Sequence, residues 1–146
     1  MSSIHVTSEI GKLRKVLLHR PGNELLNLTP DTLSDLLFDD IPYLEDAQKE
    51  HDAFAKALQD NGIETVYLED LVAEVIGSDD KIRHKFIKQF IEEAGIHTIK
   101  YKTLAYNFLD KIKDPKKLVL QTMEGIQIKD FPSRKREVEK TLVDLV

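Results

Sequence analysis

Beyond residue 70 the apolar residues of this chain recur at three- and four-residue intervals, and that spacing commits the second half to helices. Ile82, Phe86, Ile87, Phe90, Ile91 and Ala94 form one stripe, ended by Gly95; Leu104, Ala105, Phe108, Leu109 and Ile112 form another. Asp114-Pro115 joins a capping carboxylate to a proline at a first helical position, where its missing N–H is harmless. It opens a third helix carrying Leu118, Val119, Thr122 and Met123 before Gly125, and Val138, Leu142 and Leu145 mark a fourth. Such stripes bury against one another as core, not as cofactor boxes, so a small helical bundle is expected.

The first seventy residues follow a different rule. Ile4-His5-Val6 alternates weakly, and Leu13 to Arg20 is apolar and β-branched in its middle. With Gly11 between them, residues 4–20 read as a hairpin, and a type II turn at Pro21-Gly22, where Gly accepts a positive φ, stops the second strand. Thr29-Pro30-Asp31 opens a short helix carrying Leu33, Leu36 and Leu37. From Pro42 onward Leu44, Ala47, His51, Phe54, Ala55 and Leu58 share one face of a longer helix that stops at Asn61-Gly62. Ile63 to Leu68 is then a compact strand. A helix between two strands usually returns the chain to the same sheet, so the expected class is α/β with a helical bundle after it.

Composition narrows the chemistry. The 146 residues contain no cysteine, which excludes a disulfide, a thiolate metal site and a cysteine nucleophile within this stretch. A globule of this length buries roughly 68–70% of its unfolded surface, enough for a core without staples. The net charge of -5 argues against a nucleic-acid or anionic-membrane surface. Residues 1–73 hold 6 basic and 14 acidic groups, and residues 74–146 hold 15 and 12, but the charges of the second half alternate along helical faces as a solvated surface does. No apolar run exceeds three residues, so neither a membrane-spanning helix nor a secretory leader is expected, and the location expected is cytoplasmic.

The histidines at 5, 19, 51, 84 and 97 lack metal-ligand spacing, and the glycines are scattered, so no metal, phosphate loop or other cofactor is expected. His51 lies on the apolar face of its helix and reads as a core histidine hydrogen-bonded to a neighbour, in preference to an acid/base group. Asp39-Asp40 reads as a solvated acidic loop capping the next helix, in preference to a cation or guanidinium holder. An unrelated hydrolase built on Asp39, Asp40 and His51 is a further possibility that the residues alone leave open.

Several separated blocks then occur in a specific order. Ser8-Glu9-Ile10-Gly11-Lys12-Leu13 and Val16 to Glu24, with His19-Arg20-Pro21-Gly22 inside, come first. Leu36-Leu37-Phe38-Asp39-Asp40-Ile41-Pro42, Gln48 to Phe54 and Tyr67-Leu68-Glu69-Asp70-Leu71 follow. Over residues 4–76 the sequence resembles the opening of bacterial arginine deiminases, and the helical remainder fits that family more loosely. The resemblance implies a pentein fold, an α/β propeller whose first ββαβ-type module spans residues 1–72 and is followed by a helical domain over residues 73–146. It implies hydrolysis of L-arginine to L-citrulline and ammonia without metal or cofactor, a cysteine thiolate attacking the guanidinium carbon.

The family's catalytic Asp, Glu, His and Cys blocks have no counterpart in this stretch, so no catalytic residue is carried over. Of the substrate contacts only Leu37 falls here, either as a pocket-lining residue or as a plainly packed leucine; His19 and Asp39 are carried over as supports for its loop. The chain is therefore expected to be an N-terminal portion of such an enzyme, inactive by itself, its partners being L-arginine in the whole enzyme and the missing C-terminal catalytic portion. The alternative is a non-catalytic module that binds a partner subunit or completes a split enzyme. One module taken from a ring leaves apolar faces unpaired, so self-association is expected as well.

Overall fold

The computed structural model describes residue 6, residues 8–33 and residues 39–127. The expectations for Ile4 and His5, for Leu36 and Leu37, and for a helix at Val138, Leu142 and Leu145 lie outside the described residues. Within them the chain is mixed α/β, mostly helical, with one small parallel sheet.

Strand β1 (Lys15–Leu18) pairs in parallel with β2 (Glu64–Tyr67), Lys15 opposite Glu64 and Leu18 opposite Tyr67. Parallel neighbours need a crossover, which α2 (Leu44–Asp60) supplies, as the order strand, helix, strand predicts. α2 ends where Asn61 and Gly62 stand: Asn61 Nδ2 donates to the Ala57 carbonyl, and Gly62 takes φ +74°, a left-handed value that disfavours any side chain. Before it lie a five-residue 3-10 turn (Asn23–Asn27) and the single-turn α1 (Pro30–Leu33).

Three expectations for this half are corrected. Among the described residues β1 pairs with β2, and the expected hairpin is not formed there: Val6 and residues 8–14 hold no strand, and the Ile10 N–H is turned back onto Ser8 Oγ, 3.2 Å away. Pro21-Gly22 is not a type II turn, because Gly22 has φ −129° and leads into the 3-10 turn. A Cβ there would stand 2.8 Å from the Glu24 carboxylate, so this glycine serves close approach, not a positive φ. Phe54, expected on the buried face of α2, is more than half exposed, and Ala55 is the only fully buried apolar residue described in this half.

The remaining helices are α3 (Leu68–Gly77), α4 (Asp80–Glu93), α5 (Ile99–Asp110) and α6 (Pro115–Glu124). Asp79 caps α4 by accepting from the Lys81 N–H, and Asp114 caps α6 by accepting from the Lys117 N–H, with Pro115 at the first position as predicted. α3 is a further correction, since the expected strand includes Leu68 and the first helical stripe expected after it begins at Ile82. It follows β2 without a break, and its stripe of Leu68, Leu71, Val72, Val75 and Ile76 keeps strict helical spacing.

α3 to α6 enclose the core of Ile76, Ile87, Ile91, Ala105, Leu109, Leu118 and Val119. Ile87, Leu109 and Leu118 are completely buried, each contributing about 1.5–3 kcal/mol of transfer free energy. Arg83 of α4 is buried beside this core and closes the end of α5. Its Nη1 donates to Asp110 Oδ1 at 2.6 Å, and its Nη2 donates to the carbonyls of Asp110 at 2.9 Å and Ile112 at 3.0 Å. Those carbonyls stand at and just past a helix C-terminus, where the helix itself supplies no donor.

Candidate functional site

The chain from His19 to Asn27 leaves β1 and is fastened to three helices by polar groups. Arg20 makes a two-pronged contact with Asp52 of α2, Nε to Oδ1 at 2.8 Å and Nη2 to Oδ2 at 2.9 Å, and Gln48 of α2 donates to the Pro21 carbonyl. Asn27 Nδ2 donates to the Glu124 carbonyl at the end of α6 at 2.7 Å, and Gln127 donates to Asn27 Oδ1. The third tie is His19. Its Nε2 faces Glu24 Oε1 at 2.9 Å and its Nδ1 faces Glu69 Oε2 at 3.1 Å.

Local sequence explains the placement. Glu69 stands in the first turn of α3, where a carboxylate is favoured by the exposed N–H groups, and the helix buries it nearly completely. Glu24 opens the 3-10 turn and accepts the Gly22 N–H at 2.7 Å. Burial disfavours the charged form of His19, but hydrogen bonds to Glu24 and Glu69 outweigh it and raise the pKa above 6.5. Burial likewise opposes ionisation of Glu24, yet the Gly22 N–H and His19 hold its pKa below the ordinary 4.5. Asp52, exposed, is lowered by its bond to Arg20.

The other residues singled out by sequence stand apart from this seam. Leu37 lies outside the described residues. Asp39 and Asp40 are exposed, and Asp40 Oδ1 accepts the Ile41 N–H instead of capping α2, whose first residue is Leu44 and whose N-cap residue Tyr43 makes no side-chain cap. His51 is partly buried, with its ring nitrogens enclosed, but it is not hydrogen-bonded as expected: both nitrogens lack a partner among the described residues, and Nδ1 is 3.6 Å from an Asp52 oxygen. Its ring leans on Tyr67, centroids 5.9 Å apart, and no hydrogen bond joins it to Asp39 or Asp40. Among the described residues no group of three or more His, Asp or Glu side chains is arranged to hold a metal ion, and no helix is long and apolar enough to cross a membrane.

Besides the end of α6 and Gln127, the seam unites three stretches far apart in sequence. His19, Arg20 and Glu24 come from one, Gln48 and Asp52 from a second, Glu69 from a third, and these are the blocks on which the resemblance to arginine deiminases rests. The arginine deiminase family model matches residues 34–144, most of the chain. The chain belongs to the arginine deiminase family. It is 63% identical over 132 residues to an arginine deiminase of Treponema denticola, 90% of this chain and 32% of that relative. An arginine deiminase of Streptococcus pneumoniae is 56% identical over 143 residues, 98% of this chain and 34% of the relative. The chain thus spans about a third of the length of the curated relatives it matches.

Sequence reasoning gave His19 a supporting role for the loop of Leu37, which lies outside the described residues, and missed the partners that His19 has here. Glu24, Glu69, Arg20, Asp52 and Asn27 carried no motif of their own; the signal available was that each lies in or beside a block recognised for other reasons.

Proposed function

We propose that this chain is the N-terminal portion of an arginine deiminase that hydrolyses L-arginine to L-citrulline and ammonia through a covalent cysteine intermediate. The observation that supports this is 63% identity across 90% of the chain to a protein of that name. A stretch without cysteine contains no thiolate to attack the guanidinium carbon, so by this reading the chain is inactive alone and the remaining two thirds supply the nucleophile. β1, α2 and β2 then belong to the first module of a pentein propeller, residues 1–72, and the helices over residues 73–146 form a domain inserted after it. Leu37 lines the arginine pocket in the whole enzyme.

The test is a chimera joining residues 1–146 to the remaining two thirds of the Treponema denticola relative, assayed for citrulline. The chimera is expected to turn over arginine and the 146-residue chain to form none. Citrulline from the chain alone, or an inert chimera beside an active relative, overturns the proposal. Leu37→Ala in the chimera is expected to raise KM for arginine; an unchanged KM removes Leu37 from the pocket.

The alternative of a module completed by another chain draws support from Leu13, Leu17, Ile41 and Phe54, large apolar residues exposed on the α/β half. The same surface favours self-association, and sedimentation of the 146-residue chain as a monomer at all concentrations would count against it.

A further inference from the structure

The ring of His19 is unusual in having a carboxylate oxygen within hydrogen-bond distance of each nitrogen. A neutral imidazole has one N–H and one lone pair, so it satisfies one of these contacts and sets a lone pair against a carboxylate oxygen at the other. Both contacts are attractive only for the doubly protonated ring.

We propose that His19 is a pH-operated clamp that holds the 3-10 turn, Asn23–Asn27, against α3 while its ring carries both protons and releases the turn when one is lost to solvent. The two carboxylates are not equally free to move. Glu69 is fixed on α3, its side chain 7% exposed, and Lys116 of α6, which pairs with Asp70 at 2.5 Å, adds positive charge beside it. Glu24 sits on a short turn with its side chain 26% exposed. On deprotonation the ring keeps its Nδ1 proton on Glu69, and the Nε2 contact to Glu24 is the one given up.

Among the described residues the charges around the ring leave no substitute. On its own segment Arg20 is committed to Asp52 of α2; from α2 itself, His51 has no hydrogen bond; α3 offers Glu69 and Asp70; and α6 offers Lys116, engaged with Asp70, and Glu124, whose carboxylate and backbone take the amides of Asn23 and Asn27. The ties through Asn23 and Asn27 are neutral amides, so they anchor the turn to α6 at either pH. Release therefore loosens one end of the turn, the end that follows Gly22, and not the whole segment.

The direction follows from the partners. A ring whose pKa is raised in the fold contributes stability that is complete below 6.5 and is lost as pH rises through the folded value. Glu24, lowered, contributes above 4.5 and is lost as pH falls through its own folded value. The clamp is fully closed between those limits, from about pH 4.5 to 6.5.

The test is long-range proton–nitrogen NMR of the histidine rings in the 146-residue chain from pH 5 to 9. His19 is expected to titrate above 6.5, with both nitrogens protonated at the acid end and the proton retained on Nδ1 at the alkaline end. The Gly22 and Leu25 amide protons should shift with the same midpoint, and their exchange, corrected for the base-catalysed rate, should quicken as the ring loses its second proton. Amides of α5 should not respond. His19→Gln is expected to abolish the pH dependence at Gly22 and Leu25, and Glu69→Gln to lower the His19 midpoint. A His19 midpoint at or below 6.5, or Gly22 and Leu25 amides that ignore it, overturns the clamp. The unsubstituted chain decides the matter even if a variant fails to fold.

Discussion

Replacing Arg83 by Met keeps most of the buried stem and deletes the guanidinium that closes α5. The loss divides into two parts. The bonds from Nη2 to the carbonyls of Asp110 and Ile112 each come from a charged donor in a buried position, and removing such a donor costs about 1–2 kcal/mol per carbonyl left without a partner. The ion pair with Asp110 adds little, because that carboxylate is one-third exposed and regains water when Arg83 is gone, roughly 0–1 kcal/mol. The sum is about 2–4 kcal/mol, a fall in melting temperature of roughly 6–15 °C for a chain of this length. Thermal unfolding followed by circular dichroism at the helix band measures it. Asp110→Asn, which removes the carboxylate charge and spares the carbonyls, is expected to cost below about 1 kcal/mol. If Asp110→Asn proves as damaging as Arg83→Met, the ion pair and not the capping of α5 is the source of the stability, and the reasoning fails. An Arg83→Met variant within about 0.5 kcal/mol of the parent would refute it as well.

Further outcomes follow from the same geometry. Leu109→Ala, at a completely buried position, is expected to lower the unfolding free energy by about 2–5 kcal/mol in urea titrations. Gly62→Ala meets no atom within 4 Å, so its cost is conformational alone, about 1–2 kcal/mol for a left-handed φ; a neutral result in the same titration would show that α2 does not end in that conformation. Glu24, Asp52 and Asp110 all have lowered pKa values, from 4.5, 3.8 and 3.8, so their contributions are present above those values and lost as pH falls through the lower folded ones. The urea midpoint should accordingly drop on going from pH 5 to pH 3, and Asp110→Asn should make the drop smaller.

The bundle was legible because its apolar stripes keep helical spacing and because α4 and α6 announce both ends. Asp79 and Asp114 stand at N-caps, and Gly95 and Gly125 take φ of +67° and +86° just past the last turns of α4 and α6. The crossover from β1 to β2 was legible for the same reason, Asn61-Gly62 marking the end of α2. α3 was missed because nothing punctuates the step from Tyr67 to Leu68: no Gly, Pro or Asn separates strand from helix, so Leu68 was absorbed into the strand although the stripe from Leu68 to Ile76 was in plain view. The polar seam was not legible at all. His19 and Glu69 are 50 residues apart and Arg20 and Asp52 are 32 apart, and no local period encodes such pairs. Leu37 came from family resemblance alone.

The two halves of the chain are held together by different physics. Seven of the fully buried apolar residues lie in α3 to α6, and the α/β half contributes Ala55 alone among those described. Apolar burial is insensitive to pH, whereas the ties made by His19, Glu24, Arg20 and Asp52 are strongest while those groups are charged. The α/β half is therefore joined to α3 by the His19–Glu69 contact, which depends on charge, and to the end of α6 by the amides of Asn23, Asn27 and Gln127, which do not. β1 is half-exposed along its length, with Leu17 facing outward. A protein that covers this half with further chain would add the missing burial there, and its α/β half would then be less sensitive to pH than that of the 146-residue chain.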